Sequence, residues 1–179
     1  YNLGTLNLLN DAVLAATGQN IENYGRISIW RSATISAANL VNRNKIYGNS
    51  LTFLGNKITN SEAINLSKLS STVESSSVDN YNYIKILQEA LLSNLKNHNF
   101  FCSRDLSVAQ NVSNTANIDV LKQTNILGVF DNKGEFVGKT LYAKTLDNKK
   151  NVSAQILAVE NIKDKNGNIN VVNELYVKE

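Results

Sequence analysis

The sequence contains no proline and no methionine, and only one cysteine (Cys102), one histidine (His98) and one tryptophan (Trp30). A single cysteine cannot form an intramolecular disulfide, which excludes a disulfide-stabilised secreted scaffold. One Cys and one His also cannot supply the four nitrogen and sulfur ligands of a structural zinc site. The sequence therefore predicts no metal site of this kind, and no cofactor is expected.

A strong charge imbalance and long apolar runs are also lacking. The chain carries 18 Lys and Arg against 15 Asp and Glu, a net charge of +3. Neither residues 1–66 nor residues 67–179 show the clustered positive charge that holds nucleic acid. No run reaches the roughly 18 apolar residues that a membrane-spanning helix needs. We therefore expect no nucleic-acid partner and no membrane span.

Asparagine is present in excess, at 29 of 179 residues, and part of it recurs at a regular interval. The interval between successive members is 21, 19 and 18 residues, and from the second member onward an aliphatic residue precedes each by two positions. The recurring residues are Asn2, Asn23, Asn42 and Asn60. A repeat of about 20 residues is typical of a stacked, quasi-one-dimensional fold. The repeat is already under way at Tyr1, so we interpret the chain as a piece of a longer protein.

Within each repeat the apolar residues alternate with polar ones, as in Leu6 and Leu8 or Ile27 and Ile29. A period of two indicates strands with one buried face. A row of about 20 residues with three short strands fits one coil of a parallel β-helix. Asn tolerates the left-handed conformation of a sharp corner and can hydrogen-bond nearby backbone. We expect the four Asn residues to stack at one corner as a structural turn ladder, because stacked amides bond to one another.

The corner pattern of an aliphatic residue, Asn, Gly and Ile over residues 21–27, with its period near 20, resembles the haemagglutinin repeats of filamentous haemagglutinin and its relatives. These are the large exoproteins of two-partner secretion, which include bacterial adhesins and the stick proteins of contact-dependent growth inhibition. The resemblance covers about residues 2–64. The sequence departs from the pattern at Asn44 and Glu62, which replace the corner Gly.

This resemblance implies a secreted or bacterial cell-surface protein with a role in virulence or in competition between cells. Its expected partners are a receptor or a glycan on a host or neighbouring cell, and a secretion partner for the parent protein. Nothing in the chain matches the amino-terminal secretion domain of the family. The resemblance would therefore place this piece in the shaft or near its end.

The second half shows a different pattern. Residues 67–80 are small and polar and suggest a linker. In residues 81–97, Ile84, Leu87, Leu91 and Leu95 have helical spacing and predict an amphipathic helix. Residues 125–177 predict an antiparallel meander, with hairpins at Asp131–Gly134 and Lys165–Gly167. The predicted fold is thus mainly β: a short parallel β-helix of about three coils at 1–66, the linker, and a small α+β domain at 81–179.

Candidates for catalysis are few. His98 lies at the end of the predicted helix, and Cys102 is expected to be a small buried hydrophobe. Two groups of charged residues lie in or beside predicted turns, where such residues are common for other reasons. They are Asp131, Glu135 and Lys139, and Glu160, Asp164 and Lys165. We expect no enzyme. The alternative is an effector, a toxin or a fragment of a carbohydrate-active enzyme.

Trp30 and Arg31 are the candidate binding residues. If Ile27 and Ile29 point inward, Trp30 must point outward, where it either packs against another part of the protein or contacts a partner. Trp and Arg are enriched among binding hot spots. The resulting hypothesis is a non-enzymatic segment of an exoprotein that acts in adhesion or in contact-dependent delivery to other cells.

Overall fold

The computed structural model describes residues 1–164 and 166–178, and these ranges form fifteen β-strands and no helix. None of these residues therefore belongs to a helix that could cross a membrane. The strands are β1 (Thr5–Leu8), β2 (Ala12–Asn23), β3 (Arg26–Asn42), β4 (Lys45–Leu54), β5 (Lys57–Asn60), β6 (Ala63–Ser71), β7 (Ser77–Asn80), β8 (Tyr83–Leu92), β9 (Asn94–Asn97), β10 (Phe100–Val108), β11 (Val112–Asn114), β12 (Asn117–Asn132), β13 (Glu135–Asn148), β14 (Asn151–Asp164) and β15 (Asn168–Val177).

Every strand pairs in parallel with the segment about one coil away in sequence, so the chain winds into a parallel β-solenoid of about 10 coils. Each coil contributes to three parallel sheets. The first sheet contains Arg26–Ile29 beside Lys45–Gly48, and the second contains Ala33–Ile35 beside Leu51–Phe53. The third contains Asn39–Asn42 beside Lys57–Asn60. The longest strands, such as β3, continue around the corners and belong to more than one sheet.

The core is a set of columns that run along the solenoid. One column on the first sheet takes one residue from each of eight successive coils, and each of these residues is at most 1% exposed. Its members are Ile27, Ile46, Ile64, Ile84, Phe101, Ile118, Phe136 and Val152. Burying such a side chain contributes about 1.5–3 kcal/mol. Glycine makes room for the larger rings, since a Cβ at Gly138 would lie 2.8 Å from Cζ of Phe136.

The predicted amphipathic helix at 81–97 is wrong, because β8 and β9 occupy this segment. Ile84 and Ile86 point into the core, whereas Leu87 lies outside and is 53% exposed. The coil turns a corner after Ile86, which shifts the alternation between the first and second sheets. Leu91 also lies on the outer side of β8, whereas Leu95 is buried, so the helical spacing joined residues from opposite faces of the strands.

The predicted α+β domain, hairpins and linker are also wrong. Residues 133–134 form a corner of a coil, and the strand after it pairs in parallel one coil back, with Glu135 beside Asn117. The second predicted hairpin falls at Lys165, which is outside the described residues, but the flanking strands β14 and β15 are parallel. Residues 67–71 belong to β6 and residues 77–80 form β7, so the solenoid continues where a linker was expected. The coil number is accordingly about 10 rather than three.

The core position of Ile46 generates a stability prediction. Ile46→Asp places an ionised carboxylate without a partner in the column, and we expect it to lower the free energy of unfolding by more than about 4 kcal/mol. The matched control is Lys45→Asp, because Lys45 is exposed and precedes Ile46. It should change stability by less than about 0.5 kcal/mol. Denaturant unfolding followed by circular dichroism measures both, and equal midpoints would contradict the register of β4.

Candidate binding surface

A buried ladder of asparagines follows one corner of the solenoid. In each step the side-chain Nδ2 of one Asn donates to Oδ1 of the Asn in the next coil, at 2.7–2.9 Å. The members are Asn2, Asn23, Asn42, Asn60, Asn80, Asn97, Asn114, Asn132 and Asn148. The four residues expected from the sequence form its first part.

The ladder amides also donate hydrogen bonds to backbone carbonyls, so their hydrogen-bonding groups are occupied within the fold. Asn97 Nδ2, for example, lies 2.9 Å from the carbonyl oxygens of Asn99 and Asn117. From Asn23 onward every ladder residue is 0% exposed. A buried polar group is stable only when it is hydrogen-bonded in this way. The ladder is therefore structural and offers no group to a ligand.

Sequence reasoning missed the last five ladder residues, although their signal was present. An apolar residue precedes each by two positions, as in the first half: Val78, Leu95, Val112, Phe130 and Leu146. Another apolar residue follows each by four positions: Ile84, Phe101, Ile118, Phe136 and Val152. The interval between ladder residues shortens to 16–18 from Asn80 onward. A search that kept the flanking apolar positions and relaxed the interval would have found them.

Removal of one ladder amide should be costly. Asn97→Ala leaves the Asn114 Oδ1 and Asn80 Nδ2 atoms without the bonds that join them to Asn97. We expect a loss of about 2–4 kcal/mol, since each deprived buried group costs about 1–3 kcal/mol. Asn117→Ala is the control, because Asn117 is exposed and contributes only its backbone carbonyl to the ladder. If thermal denaturation gave the two variants the same stability, the ladder would not hold the fold.

Trp30 and Arg31 both lie on the outer surface, at the end of the first-sheet segment of β3. Trp30 is 69% exposed, and no other element covers it among the described residues. It borders a shallow groove of about 300 Å³ with Ser28, Tyr47 and Asn49. The Tyr47 ring also carries the Arg26 guanidinium, 5.1 Å from its centroid. This groove combines aromatic and hydroxyl groups, and Arg26 lies against the Tyr47 ring in its wall. The role of Trp30 and Arg31 in binding stays a prediction.

His98 belongs to a stack at the ladder corner. Its ring lies parallel to Tyr81 in the previous coil, with centroids 4.7 Å apart. Thr115 Oγ1 in the next coil is 3.3 Å from Nδ1. Tyr83 and Phe100 stack in the same way beside this pair, at 5.4 Å. In each pair the two rings come from neighbouring coils and pack on one another.

The acids considered for catalysis are spread over different faces. Asp131 lies on the third sheet and pairs with Lys133 at 2.9 Å. Glu135 begins the first-sheet segment of β13, and Lys139 follows that segment. Glu160 follows the second-sheet segment of β14 and Asp164 ends its third-sheet segment, whereas Lys165 is outside the described residues. In residues 1–164 and 166–178 no three His, Cys, Asp or Glu residues are grouped so that they could hold a metal ion.

Cys102 is half-buried on the outer side of the first sheet, between Lys85 and Asp119 of the neighbouring coils. Burial raises the pKa of the Cys102 thiol, and the negative charge of Asp119 raises it further. The pKa of Asp119 is itself raised, first by burial and then by Glu135. Since the thiolate is the nucleophilic form, Cys102 is poorly suited to attack a substrate at neutral pH.

The raised pKa of Cys102 predicts slow alkylation. At pH 7.5 a smaller fraction of the thiol is ionised, so we expect labelling to be several-fold slower than at an exposed cysteine. The rate should rise with pH, with a midpoint above the ordinary pKa of cysteine. The reference is Asn65→Cys in a Cys102→Ser background, because Asn65 lies on the same sheet face and is exposed. Equal pH–rate profiles for the two thiols would contradict the assigned environment.

A wider groove crosses the outer face of the second sheet near its carboxyl-terminal end. It has a volume of about 780 Å³ and is open to solvent. Tyr142, Ala158 and Tyr176 lie in register across it, and Lys144, Glu160 and Lys178 lie along its border. The sequence offered no signal for this groove, because its residues meet only once the lengths of the coils are known.

A scan of the sequence against protein-family models gives no match, and comparisons with curated proteins and with solved structures give none either. The class of the protein therefore rests on its own architecture, a parallel β-solenoid with an asparagine ladder. This architecture is compatible with haemagglutinin repeats but does not identify them.

Proposed function

We propose that the chain is a non-enzymatic segment of a secreted, cell-surface exoprotein that acts in adhesion or in contact-dependent delivery to other cells. The observation that carries the proposal is the uninterrupted solenoid: one ladder runs from Asn2 to Asn148, and one core runs beside it. At about 4.8 Å for each coil, ten coils form a rod of about 45 Å. A rod of this kind suits a shaft that holds a binding surface away from the cell.

The division of side chains between the interior and the surface supports a function in binding through the outer surface. The interior is filled by aliphatic and aromatic side chains, and the ladder amides are fully used inside the fold. The polar and aromatic side chains that remain lie on the flat outer sheets, which solenoid proteins use for extended contacts. The grooves around Trp30 and across Tyr142 to Tyr176 are both open and lie on such faces.

The proposed setting is a bacterial adhesin of the two-partner secretion type, with a secretion partner for the parent protein. It is supported by the 20-residue repeat and by the corner pattern of residues 21–27, and a β-solenoid is compatible with it. The proposed ligands are a receptor or a glycan on a host or neighbouring cell. Trp30 and Arg31 are the first residues proposed for this contact.

The test is binding of the labelled chain to cultured epithelial cells and to bacterial cells. Trp30→Ala and Arg31→Ala should each weaken binding by about thirtyfold or more, since hot-spot side chains contribute about 2 kcal/mol or more. Leu121→Ala is the matched control for Trp30. Leu121 is also 69% exposed and also follows the first-sheet segment of its coil.

The control should bind as the unchanged chain does, and all variants should keep the circular dichroism spectrum of the fold. Absence of cell binding by the unchanged chain would remove the adhesive function. Binding that persists unaltered in both Trp30→Ala and Arg31→Ala would leave adhesion in place and remove this site.

A further inference from the structure

The corner between the first and second sheets forms an exposed ridge along the solenoid. We number the coils from one, which contains Leu8, to ten, which contains Val171. The ridge consists of the residues that each coil places between its first-sheet and second-sheet segments. Coils two, five, seven and ten place two residues there, and coils three, four, six, eight and nine place one. The extra residue is a bulge in the strand, which makes the corner protrude.

The side chains of the ridge differ between the two kinds of corner. Each two-residue corner begins with a large apolar side chain that is 53–72% exposed. These side chains are Trp30, Leu87, Leu121 and Val172. The residues that follow them are Arg31, Gln88, Lys122 and Asn173. The one-residue corners are all polar, and their residues are Asn49, Ser67, Arg104, Lys139 and Gln155. The ridge of coils two to ten thus exposes apolar groups at its bulges and contains no acidic residue.

The corners follow the same order in both directions from coil six. Coils five and seven have two residues, coils four and eight have one, coils three and nine have one, and coils two and ten have two. Two antiparallel copies of such a ridge match, because coil five of one copy lies beside coil seven of the other. A twofold axis at coil six relates them, and twofold dimers are the commonest homo-oligomers. A lipid surface would not require this order.

We propose that the ridge is the interface of an antiparallel dimer of this chain, with the twofold axis at Arg104. Leu121 of each copy then meets Leu87 of the other copy beside the axis. Trp30 of each copy meets Val172 of the other at the two ends. The exposed apolar side chains of coils two to ten therefore leave water in pairs, which favours association.

The one-residue corners are complementary in length. Lys139 faces Ser67 of the other copy, and Gln155 faces Asn49, so a longer side chain meets a shorter one in each case. These pairs occupy the spaces between the bulges. Lys139 also approaches Lys68, which follows Ser67, and this contact is repulsive.

Charges beside the ridge favour the antiparallel direction. The second-sheet residue that follows the ridge is Glu89 in coil five and Glu174 in coil ten. In the dimer, Lys122 approaches Glu89 of the other copy, and Arg31 approaches Glu174. Among the described residues, neither Lys122 nor Arg31 forms an ion pair within the single chain. Both cations are therefore free to pair across the interface.

The axis itself carries balanced charges. Arg104 Nε lies 3.8 Å from Oδ2 of Asp105 in the same chain, and both side chains are partly exposed. The dimer brings two guanidinium groups and two carboxylates together, so each positive charge has two negative neighbours. The attractive contacts along the interface therefore outnumber the repulsive contact of Lys139.

The size of the interface predicts a weak dimer. Nine coils at about 4.8 Å give a contact about 38 Å long. With a width of about 12 Å, the two copies bury about 900 Å² in total, which is near the lower limit of specific interfaces. We therefore expect a dissociation constant in the micromolar range.

The dimer goes beyond the adhesive function, although both use Trp30 and Arg31. A weak dimer dissociates at nanomolar concentration, where the two side chains are free for a cell contact. Pairing covers them only when the chain is concentrated. Cell binding measured with dilute chain therefore tests the contact independently of the dimer.

Chemical cross-linking tests the position of the axis. Arg104→Cys in a Cys102→Ser background places one thiol at the axis, and a short bismaleimide should join two copies of this variant. Asn49→Cys in the same background should not be joined to itself, because residue 49 faces residue 155 of the other copy. A mixture of Asn49→Cys and Gln155→Cys chains should be joined. All three positions are exposed in the single chain.

Analytical ultracentrifugation tests the apolar contacts. The unchanged chain should show a monomer–dimer equilibrium between nanomolar and millimolar concentration. Leu87→Asp and Leu121→Asp should each raise the dissociation constant by about tenfold or more. Leu127→Asp is the matched control, because Leu127 is 61% exposed but lies at the corner between the second and third sheets. Circular dichroism checks that each variant is folded.

A charge exchange tests the antiparallel direction. Lys122→Glu should weaken the dimer several-fold, because it places two carboxylates together. Addition of Glu89→Lys to the same chain should restore the dimer. The two residues lie two coils apart within one chain, so the recovery reports the contact between copies.

The inference is overturned if the unchanged chain stays monomeric at millimolar concentration, or if Leu87→Asp associates as the unchanged chain does. It is also overturned if Asn49→Cys is joined to itself as fast as Arg104→Cys, since a parallel pair would give that result. Binding of a monomeric chain to phosphatidylserine vesicles through the ridge would assign the ridge to a lipid surface instead. None of these results removes the cell contact, and absence of cell binding leaves the dimer in place.

Discussion

A hydrogen bond from each ladder asparagine to the next sets the position of one coil on its neighbour. A primary amide carries both a donor and an acceptor on a short side chain, so it can receive a bond from the coil before and give one to the coil after. Aspartate could only accept, and glutamine is one methylene longer. Because the ladder is buried, a coil that slipped by one residue would leave amides unpaired at a cost of about 1–3 kcal/mol each. The ladder thus fixes the register at one corner of each coil from Asn2 to Asn148.

The other features follow from that register. Once Asn97 lies above Asn80, Leu95 lies above Val78 and Phe101 lies above Ile84, so the core columns form without further specification. Differences in coil length from 16 to 21 residues are taken up at the other two corners, where the register shifts occur. The same stacking places Tyr81 on His98 and sets Tyr142 and Tyr176 two spacings apart. The register set by the ladder therefore determines both the core columns and which surface side chains become neighbours.

The first three coils were predictable because their period-two pattern and their asparagine interval agree. Residues 81–97 were not, because Leu87 and Leu91 on the outer side of β8 combine with core residues into a helical spacing. The prediction of antiparallel hairpins in residues 125–177 was wrong for a related reason. A turn such as Lys133–Gly134 shows that the chain changes direction, but it does not show whether the next strand returns beside the last one or continues around a coil.

The candidate sites also differ in how far the sequence alone could predict them. The exposure of Trp30 follows from alternation with Ile27 and Ile29, which lie within three residues of it. The environment of Cys102 depends on Asp119, one coil away, and the groove across Tyr142, Ala158 and Tyr176 joins residues two coils apart. Such contacts are fixed only by the complete register. Sequence reasoning therefore finds the side chains that point outward, but not which of them become neighbours.

If the ladder amides are continuously bonded in the folded chain, their side-chain protons should be protected from exchange. Nuclear magnetic resonance of these protons after transfer to deuterated water measures the protection. The protons of the eight ladder residues that are 0% exposed should exchange orders of magnitude more slowly than those of the exposed Asn117. If the ladder protons exchanged as fast as those of Asn117, the amides would not be joined, and the register of the solenoid would need another explanation.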